Sequence, residues 1–454
     1  MKYLHFSGIL NKCQASSTMK QLICLALPVI ATSFMSMAYH FVNIIFVGQL
    51  GSSAVAAVGS AGFYMNLGWG LSSLLTVGAG IKVSHSIGQK NNLLAKSYVK
   101  SGIVATLIVA VLYYLVLLAT KSFLVGIIRL NDPEIEQATT NYLMLTGLSI
   151  PFTFQNLFFT NVFIGSGDSK TPFRINALAF GINIALDPLL IFLAGWGIYG
   201  AAVATILSQA VATIVFYNKL YKNEMLRPKG VTFRKVLLKN IIGLGISPTI
   251  QRVSFTIVAI AMARIISNWG ANAIAVQKVG IQIEAISYMT IIGFMSALSS
   301  LSGKAYGAKN YQQQWETFRS GMVLAFIIGI ITTAILIAFP SSLFSIFLHE
   351  KESVAMGREY LLILGVSQLF MCMELMATGA FFGWGRTNIP AITGITLTVL
   401  RIPMAIAFIH FWENSLSSVW WSISISSIAK GSLLVLLYVI LFKIFIKNTQ
   451  SVKS

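Results

Sequence analysis

Long apolar segments follow one another from about residue 20 almost to the end of the chain, each long enough to cross a lipid bilayer. A spanning helix needs about 20 apolar residues. Because lipid offers the backbone no hydrogen-bond partners, only helices or closed barrels can span it. The apolar segments are continuous and do not alternate in polarity, which favours helices over barrel strands. The sequence therefore predicts an all-α polytopic membrane protein.

Composition supports this fold class, because hydrophobic residues make up 56% of the 454 residues and charged residues only 10%. Soluble domains carry about a quarter charged residues. The net charge of +19 does not indicate nucleic-acid binding, since Lys and Arg lie at helix ends and not on one face. We place twelve transmembrane helices, with approximate bounds 20–48, 53–86, 95–120, 136–163, 171–195, 198–219, 238–268, 271–303, 315–345, 354–382, 389–412 and 417–446.

Cationic residues concentrate in every second loop, most densely in segment 219–239. The intervening loops 49–54, 195–200 and 267–272 contain no Lys or Arg. The positive-inside rule therefore predicts that segment 219–239 and both termini lie in the cytoplasm. We expect a multi-pass protein of the cell inner (plasma) membrane.

Several short sequence motifs recur at a near-constant spacing of 218 to 220 residues. The matched pairs are Pro28 in LALPVIA with Pro248 in LGISPTI, GSSAVAA (51–57) with GANAIAV (270–276), GQKNN (88–92) with GAKNY (307–311), and GSGDSKTP (165–172) with GWGRTNIP (383–390). Repeats of this length indicate two homologous six-helix halves. An even number of spans per half makes the repeats parallel, which suits a transporter with two lobes around a central cavity.

The repeats and the loop charges together predict the domain organisation. We expect a cytoplasmic N-terminal segment (1–19), an N-lobe of helices 1–6 (20–219), a cytoplasmic linker (220–237), a C-lobe of helices 7–12 (238–446) and a cytoplasmic tail (447–454).

Several of these motifs resemble the multidrug and toxic compound extrusion (MATE) family. The most specific are YHFVNIIFVGQLG (39–51), GSGDSKTP (165–172), NIALDPLLIF (183–192), GAAVAT (200–205) and KVGIQIEAISYM (278–289). They are more similar to the prokaryotic DinF-like branch than to the NorM-like branch, and the resemblance covers nearly the whole chain. It implies export of small organic molecules against entry of Na⁺ or H⁺ as the coupling ion, with no other cofactor. We expect a monomer.

Asp187 lies deep in the fifth span, where a carboxylate costs about 2.5–3.5 kcal/mol on insertion scales and should face a polar interior. Asn183 lies four residues earlier and shares its helix face. Pro188 cannot donate to the carbonyl of Ile184, which leaves a backbone oxygen free. These oxygens suit a hard cation such as Na⁺, with Asp187 and Asn183 as ligands. The carboxyl group could instead carry a proton, or serve only as a structural hydrogen-bonding group between helices.

The resemblance adds residues to this site. In the resembled branch the positions of Asp187, Asn183 and Thr205 form the cation or proton site together with an aspartate in the first span. Here Asn43 occupies that aspartate position, and an amide can coordinate Na⁺ but cannot titrate.

Other residues of the first span are candidates for gating or coupling. Pro28 matches the helix-bending proline of the family, and Tyr39 matches as well. His40 could respond to protons in place of the missing carboxylate, or be an ordinary interior histidine. With Pro188 of the fifth span, these residues form the predicted gating set.

The second half contains more charge within its spans. The predicted substrate-binding residues are Arg252, Glu284, Glu374, Arg401 and Lys430, and Lys278 lies near a helix end. The repeat spacing of 218 aligns Arg401 with Asn183. These charges could form buried ion pairs that hold the lobe together. They could also form a cationic cavity for an anionic or zwitterionic substrate.

Two functions fit the sequence. The first is a cation-coupled antiporter that exports small organic solutes or drugs by alternating access. The second is a flippase for a lipid-linked or anionic substrate of the same superfamily. An enzyme is disfavoured, because the histidines are scattered and GSGDSKTP lacks the spacing of a phosphate-binding loop.

Overall fold

The computed structural model describes residues 17–128, 130, 132–411 and 415–451. Most of the predicted N-terminal segment and the last three residues of the predicted tail lie outside these ranges. The described residues form helices and no strands. The α-helices are α1 (Thr18–Gly48), α2 (Ser52–Gly88), α3 (Asn92–Ile128), α4 (Pro133–Gly147), α5 (Ile150–Gly165), α6 (Lys170–Pro188), α7 (Gly197–Lys222), α8 (Lys235–Ile266), α9 (Ala271–Gly307), α10 (Tyr311–Ala338), α11 (Pro340–Ser345), α12 (Lys351–Trp384), α13 (Asn388–Val399), α14 (Arg401–Phe411) and α15 (Leu416–Ser451).

Within the described residues, ten helical segments are long and apolar enough to cross a membrane. Two of the predicted spans are not among them. One is α2, and the other is the pair α4 and α5, whose helices have only 15 and 16 residues. We predicted one uninterrupted helix over 136–163. Pro151 in the first turn of α5 explains the break, because it cannot donate to the carbonyl of Gly147.

Prolines interrupt two further spans near the predicted site residues. At the end of α6, Pro188 is followed by a single π-helical stretch, Leu189–Leu193. Such π-bulges are frequent at functional sites. The break between α13 and α14 falls at Leu400, immediately before Arg401. Pro403 contributes to this break, because its nitrogen cannot donate to the carbonyl of Val399.

The chain divides into two compact units. The N-unit comprises Ala31–Thr249, and the C-unit comprises Met1–Ile30 together with Ile250–Ser454. Both boundaries lie within helices, two residues after Pro28 in α1 and one residue after Pro248 in α8. Each of these helices therefore contributes to both units.

The N-unit is held together by an aromatic and aliphatic core that includes Phe158, Phe163 and Phe216. Close helix crossings within this unit require glycine. A β-carbon on Gly78 of α2 would collide with the backbone carbonyl of Ile241 in α8. The absence of a side chain therefore allows these two backbones to pack against each other.

The C-unit is organised around α12, the most deeply buried of the described spans. One cluster contains Trp384, Tyr438 and Phe442, and a second contains Tyr360 and Trp420. The rings of Tyr360 and Trp420 meet edge to face, with centroids 5.2 Å apart. This rigid core positions the polar side chains that α12 contributes to the C-unit.

Candidate functional site

The first candidate site is the carboxyl group of Asp187 at the end of α6. Its side chain is completely buried. Within the described part of the chain, neither carboxylate oxygen accepts a hydrogen bond. The side-chain oxygen of Asn183, four residues earlier on the same face, is also buried and accepts none. Buried polar atoms are normally satisfied, so three unsatisfied oxygens in adjacent helical turns indicate a site for a proton or a cation.

Helix α7 orients the amide of Asn183. Its Nδ2 donates to Thr205 Oγ1 and to Ser208 Oγ, both at 3.4 Å. The Thr205 hydroxyl donates in turn to the carbonyl of Ala201 at 3.0 Å. Because Asn183 Nδ2 already has two hydrogen-bond partners, Asn183 Oδ1 is the atom available to a ligand.

Helix α1 contributes Tyr39 and Asn43 to the same region. Asn43 Nδ2 donates to the Tyr39 hydroxyl at 3.3 Å, and the Tyr39 side chain also interacts with Thr205. Tyr39 stacks on Phe180 of α6, with ring centroids 5.2 Å apart. The structure thus brings together the predicted residues of the first, fifth and sixth spans.

The other predicted gating residues lie in different surroundings. The His40 side chain is exposed, and its ring contacts those of Tyr39 and Trp69 at centroid distances of 5.3 and 5.6 Å. Pro28 belongs to the C-unit.

Sequence reasoning missed two residues of this site. Ser208 holds the Asn183 amide. Tyr142 of α4 is buried and lies close enough to interact electrostatically with Asp187 and Tyr39. The repeat offers a signal for Tyr142, because residue 360, which lies 218 positions later, is also a tyrosine.

Within the described residues, no basic side chain forms a salt bridge with Asp187. Across the described residues the one salt bridge joins Lys430 to Glu374 in the C-unit. In the same part of the chain, no group of three or more His, Cys, Asp or Glu side chains could hold a metal ion. A carboxylate with an adjacent amide oxygen fits a monovalent cation such as Na⁺, and the carboxyl group can alternatively carry a proton.

The second candidate site is a charged cluster in the C-unit. Lys430 Nζ lies 3.2 Å from Glu374 Oε1 and 3.1 Å from Oε2, and both side chains are buried. Glu284 accepts hydrogen bonds from the Tyr360 hydroxyl at 2.6 Å and from Gln368 Nε2 at 2.9 Å. Both carboxylates of the cluster therefore have close donors.

Arg401 has a different environment. Its Nε donates to Ser426 Oγ at 2.7 Å, and one terminal nitrogen donates to Ser427 Oγ at 2.9 Å. It interacts electrostatically with Glu374 and Glu284, but in the described residues it forms a salt bridge with neither. Lys430 and Glu374 thus form a buried ion pair, one of the two arrangements expected from the sequence. Arg401 instead donates hydrogen bonds to two neutral hydroxyls.

The two other cations singled out in the spans of the second half have exposed side chains. Arg252 is exposed and interacts electrostatically with Tyr288. Lys278 is also exposed. The structure therefore groups four of the five predicted substrate-binding residues, with Arg252 nearer the surface.

Comparison with known proteins agrees with this architecture. The MatE family model matches residues 28–189 and 249–407. Similar proteins include "Probable multidrug resistance protein NorM" of Thermotoga maritima, 27% identical over 450 residues that cover 96% of each chain. They also include "Multidrug export protein MepA" of Staphylococcus aureus, 23% identical over 450 residues, covering 97% of this chain and 98% of the relative.

A crystal structure of MATE in the bent conformation superposes with a TM-score of 0.90 at 21% identity, over 99% of this chain and all of the other. This similarity confirms the predicted fold class. The two matched segments of the family model cover well over half of the chain and begin at corresponding points of the two repeats. The chain therefore belongs to the MatE family, whose members are secondary transporters and not enzymes.

Proposed function

We propose that the protein is a cation-coupled antiporter that exports small organic solutes or drugs across the cytoplasmic membrane by alternating access. The similar proteins carry the names "multidrug resistance protein" and "multidrug export protein". These names support organic molecules as the substrates. The lipid bilayer is the other partner, both termini face the cytoplasm, and the transporter is a monomer.

The observation that carries the proposal is the unsatisfied carboxyl group of Asp187. A coupling group must bind its ion in one state and release it in another. A carboxylate permanently paired with Arg or Lys could not do this, and Asp187 has no such partner among the described residues. Its burial makes an uncompensated negative charge costly, so binding of H⁺ or Na⁺ stabilises the group.

The neighbouring residues have distinct proposed roles. If Na⁺ is the coupling ion, Asp187 and Asn183 supply the ligand oxygens, with Thr205 and Asn43 completing the site. Tyr39, which contacts Asn43 within α1, connects this helix to the site through its interaction with Thr205. In the gating set, Pro188 allows the distortion at the end of α6, and Pro28 and His40 act in α1.

A membrane gradient is sufficient to drive such export. One elementary charge crossing 100 mV is worth about 2.3 kcal/mol. At about 1.4 kcal/mol per factor of ten, this energy sustains a substrate gradient of about fortyfold. An inward concentration gradient of H⁺ or Na⁺ adds to this energy.

The substrate is proposed to contact the C-unit cluster of Glu284, Glu374, Arg401 and Lys430, together with the exposed Arg252. A second candidate function, a flippase for a lipid-linked or anionic substrate, is favoured by one observation: Arg401 has no carboxylate in direct contact among the described residues. Transport of a lipid-linked substrate, measured beside transport of a soluble organic solute, separates the two functions experimentally.

The test is transport by purified protein in proteoliposomes under an imposed Na⁺ or pH gradient, with a cationic dye and an organic anion as substrates. We expect Asp187→Asn to abolish gradient-driven transport while the protein stays folded. Asp132→Asn is the matched control, because Asp132 caps α4 and Asn caps a helix equally well. Gradient-driven transport by Asp187→Asn at the wild-type rate would exclude the proposal.

A further inference from the structure

We propose that Arg401, held by Ser426 and Ser427, forms an anion site that binds the carboxylate group of an organic acid or zwitterionic substrate. This site is the charge-inverted counterpart of the Asp187 site in the other repeat. The proposal rests on the proposed function only in taking the substrate to be a small organic molecule. It names the chemical class of that molecule.

The first argument is a pair of equivalent contacts. Arg401 lies 218 positions after Asn183, and Ser426 lies 218 positions after Ser208. In the N-unit, Asn183 Nδ2 donates to Ser208 Oγ. In the C-unit, Arg401 Nε donates to Ser426 Oγ. The same two positions therefore make the same donor-to-hydroxyl contact in both repeats, with an amide in one and a guanidinium in the other.

The apolar packing of the two repeats independently supports this alignment. In the N-unit, Tyr142 clusters with Ala61 and Ala202. In the C-unit, Tyr360 packs against Trp420, and a β-carbon on Gly280 would meet its ring. Tyr360 lies 218 positions after Tyr142, and Trp420 lies 218 positions after Ala202. Gly280 lies 219 positions after Ala61.

The charges at the aligned positions are reversed. The position of Asp187 is occupied in the C-unit by Ala405, which is completely buried. The position of the neutral Asn183 is occupied by the cationic Arg401. Among the described residues, one repeat therefore has a carboxylate with no cation in direct contact, and the other has a cation with no carboxylate in direct contact.

Glu374 and Glu284 interact electrostatically with Arg401, but among the described residues no carboxylate forms a salt bridge with it. Glu374 is bound by Lys430, and Glu284 is bound by Tyr360 and Gln368. Of the five N–H donors that a guanidinium offers, two donate to serine hydroxyls within the described residues. Neutral hydroxyls fix the orientation of the guanidinium and leave its charge for a ligand.

Carboxylate is the ligand chemistry that fits this arrangement. A guanidinium binds a planar carboxylate through two parallel hydrogen bonds, which are stronger than bonds between neutral groups. Arg401 begins α14 at the break in its span, and this helix end adds a partial positive charge. A cationic substrate would meet repulsion at this position, whereas an organic acid or zwitterion would be attracted.

The experiment compares two probes that differ only at the carboxylate: a rhodamine with a free benzoic acid group and the methyl ester of the same rhodamine. Binding is measured by fluorescence polarisation on purified protein in nanodiscs of zwitterionic lipid, without any ion gradient. We expect the wild-type protein to bind the acid more tightly than the ester. Arg401→Gln should weaken binding of the acid about tenfold, as expected for loss of a charge-assisted pair, and leave the affinity for the ester unchanged.

Two further variants make the result specific. Arg401→Lys keeps the charge without the planar fork and should give an intermediate affinity for the acid. Arg264→Gln removes the same charge from an exposed position of the C-unit and should bind both dyes like the wild type. Equal affinity of the wild-type protein for acid and ester, or equal loss of both in Arg401→Gln, would overturn the proposal. Asp187→Asn should retain binding of the acid, so failure of ion coupling is distinguished from failure of this site.

Discussion

The buried ion pair between Lys430 and Glu374 makes a quantitative prediction. The two carboxylate oxygens lie 3.2 and 3.1 Å from Lys430 Nζ, and the side chains are only 6% and 9% exposed. Removing one partner of such a pair leaves an uncompensated buried charge, at a cost of about 3–5 kcal/mol in the free energy of unfolding. Replacing both by apolar residues of similar size is often nearly neutral.

The neighbours of the pair make the two single variants unequal. In Lys430→Met, Glu374 keeps a favourable electrostatic interaction with Arg401, so we expect a cost near 3 kcal/mol, the lower end of the range. In Glu374→Met, Lys430 and Arg401 repel each other without an intervening carboxylate. The cost should then lie near 5 kcal/mol. The double variant should lose only about 0–2 kcal/mol, because Lys430 also contributes a contact with the ring of Phe255.

The assay is reversible unfolding in mixed micelles of dodecylmaltoside and SDS, followed by tryptophan fluorescence. It provides the free energies for a double-mutant cycle. Lys278→Met is the matched control, because Lys278 is exposed, and it should change stability little. If the double variant were destabilised by the sum of the two single costs, the pair would not be coupled and this reasoning would be refuted.

Three further predictions concern individual positions. Asn43→Asp should shift the Na⁺ and pH dependence of transport, because it adds a titratable carboxyl group beside Tyr39; identical profiles would make this position irrelevant to coupling. Asn183→Ala removes one oxygen ligand and should raise the ion concentration that gives half-maximal transport about tenfold. An unchanged ion concentration would exclude Asn183 as a ligand. Gly280→Ala should lower the thermal stability, since its β-carbon would collide with the Tyr360 ring; Gly243→Ala, whose β-carbon meets nothing, should leave stability unchanged or raise it.

Local periodicity accounts for what could be predicted of the Asp187 site. A separation of four residues places Asn183 and Asp187 on one helix face whatever the packing around them. Inferences of this kind depend only on the geometry of one helix, and the structure places both side chains in the same buried region. The π-helical stretch after Pro188 did not follow from the sequence, which predicted only a free carbonyl at Ile184.

Contacts between distant segments could not be deduced in the same way. From the sequence we singled out four cations and two carboxylates in the spans of the second half, and nothing in the sequence alone selects Lys430 as the partner of Glu374. Hydroxyl partners such as Ser208 and Ser426 are even less visible, because serine is common in apolar helices. The repeat supplies part of the missing information, since the contact of Asn183 with Ser208 predicts the equivalent contact of Arg401 with Ser426. It does not supply the ion pair, because Ala212 and Asn156 occupy the positions of Lys430 and Glu374 in the first half.

The most direct test of the account is ion movement driven by the substrate. Proteoliposomes containing the purified protein are given an outward gradient of an organic substrate, and H⁺ is followed with an internal pH dye or Na⁺ with a radioactive tracer. If the protein is an antiporter coupled through Asp187, H⁺ or Na⁺ will move opposite to the substrate in the wild-type protein, and this countermovement will be lost in Asp187→Asn. Substrate movement by the wild-type protein with no movement of either ion, or equal countermovement in Asp187→Asn, would exclude coupling through Asp187.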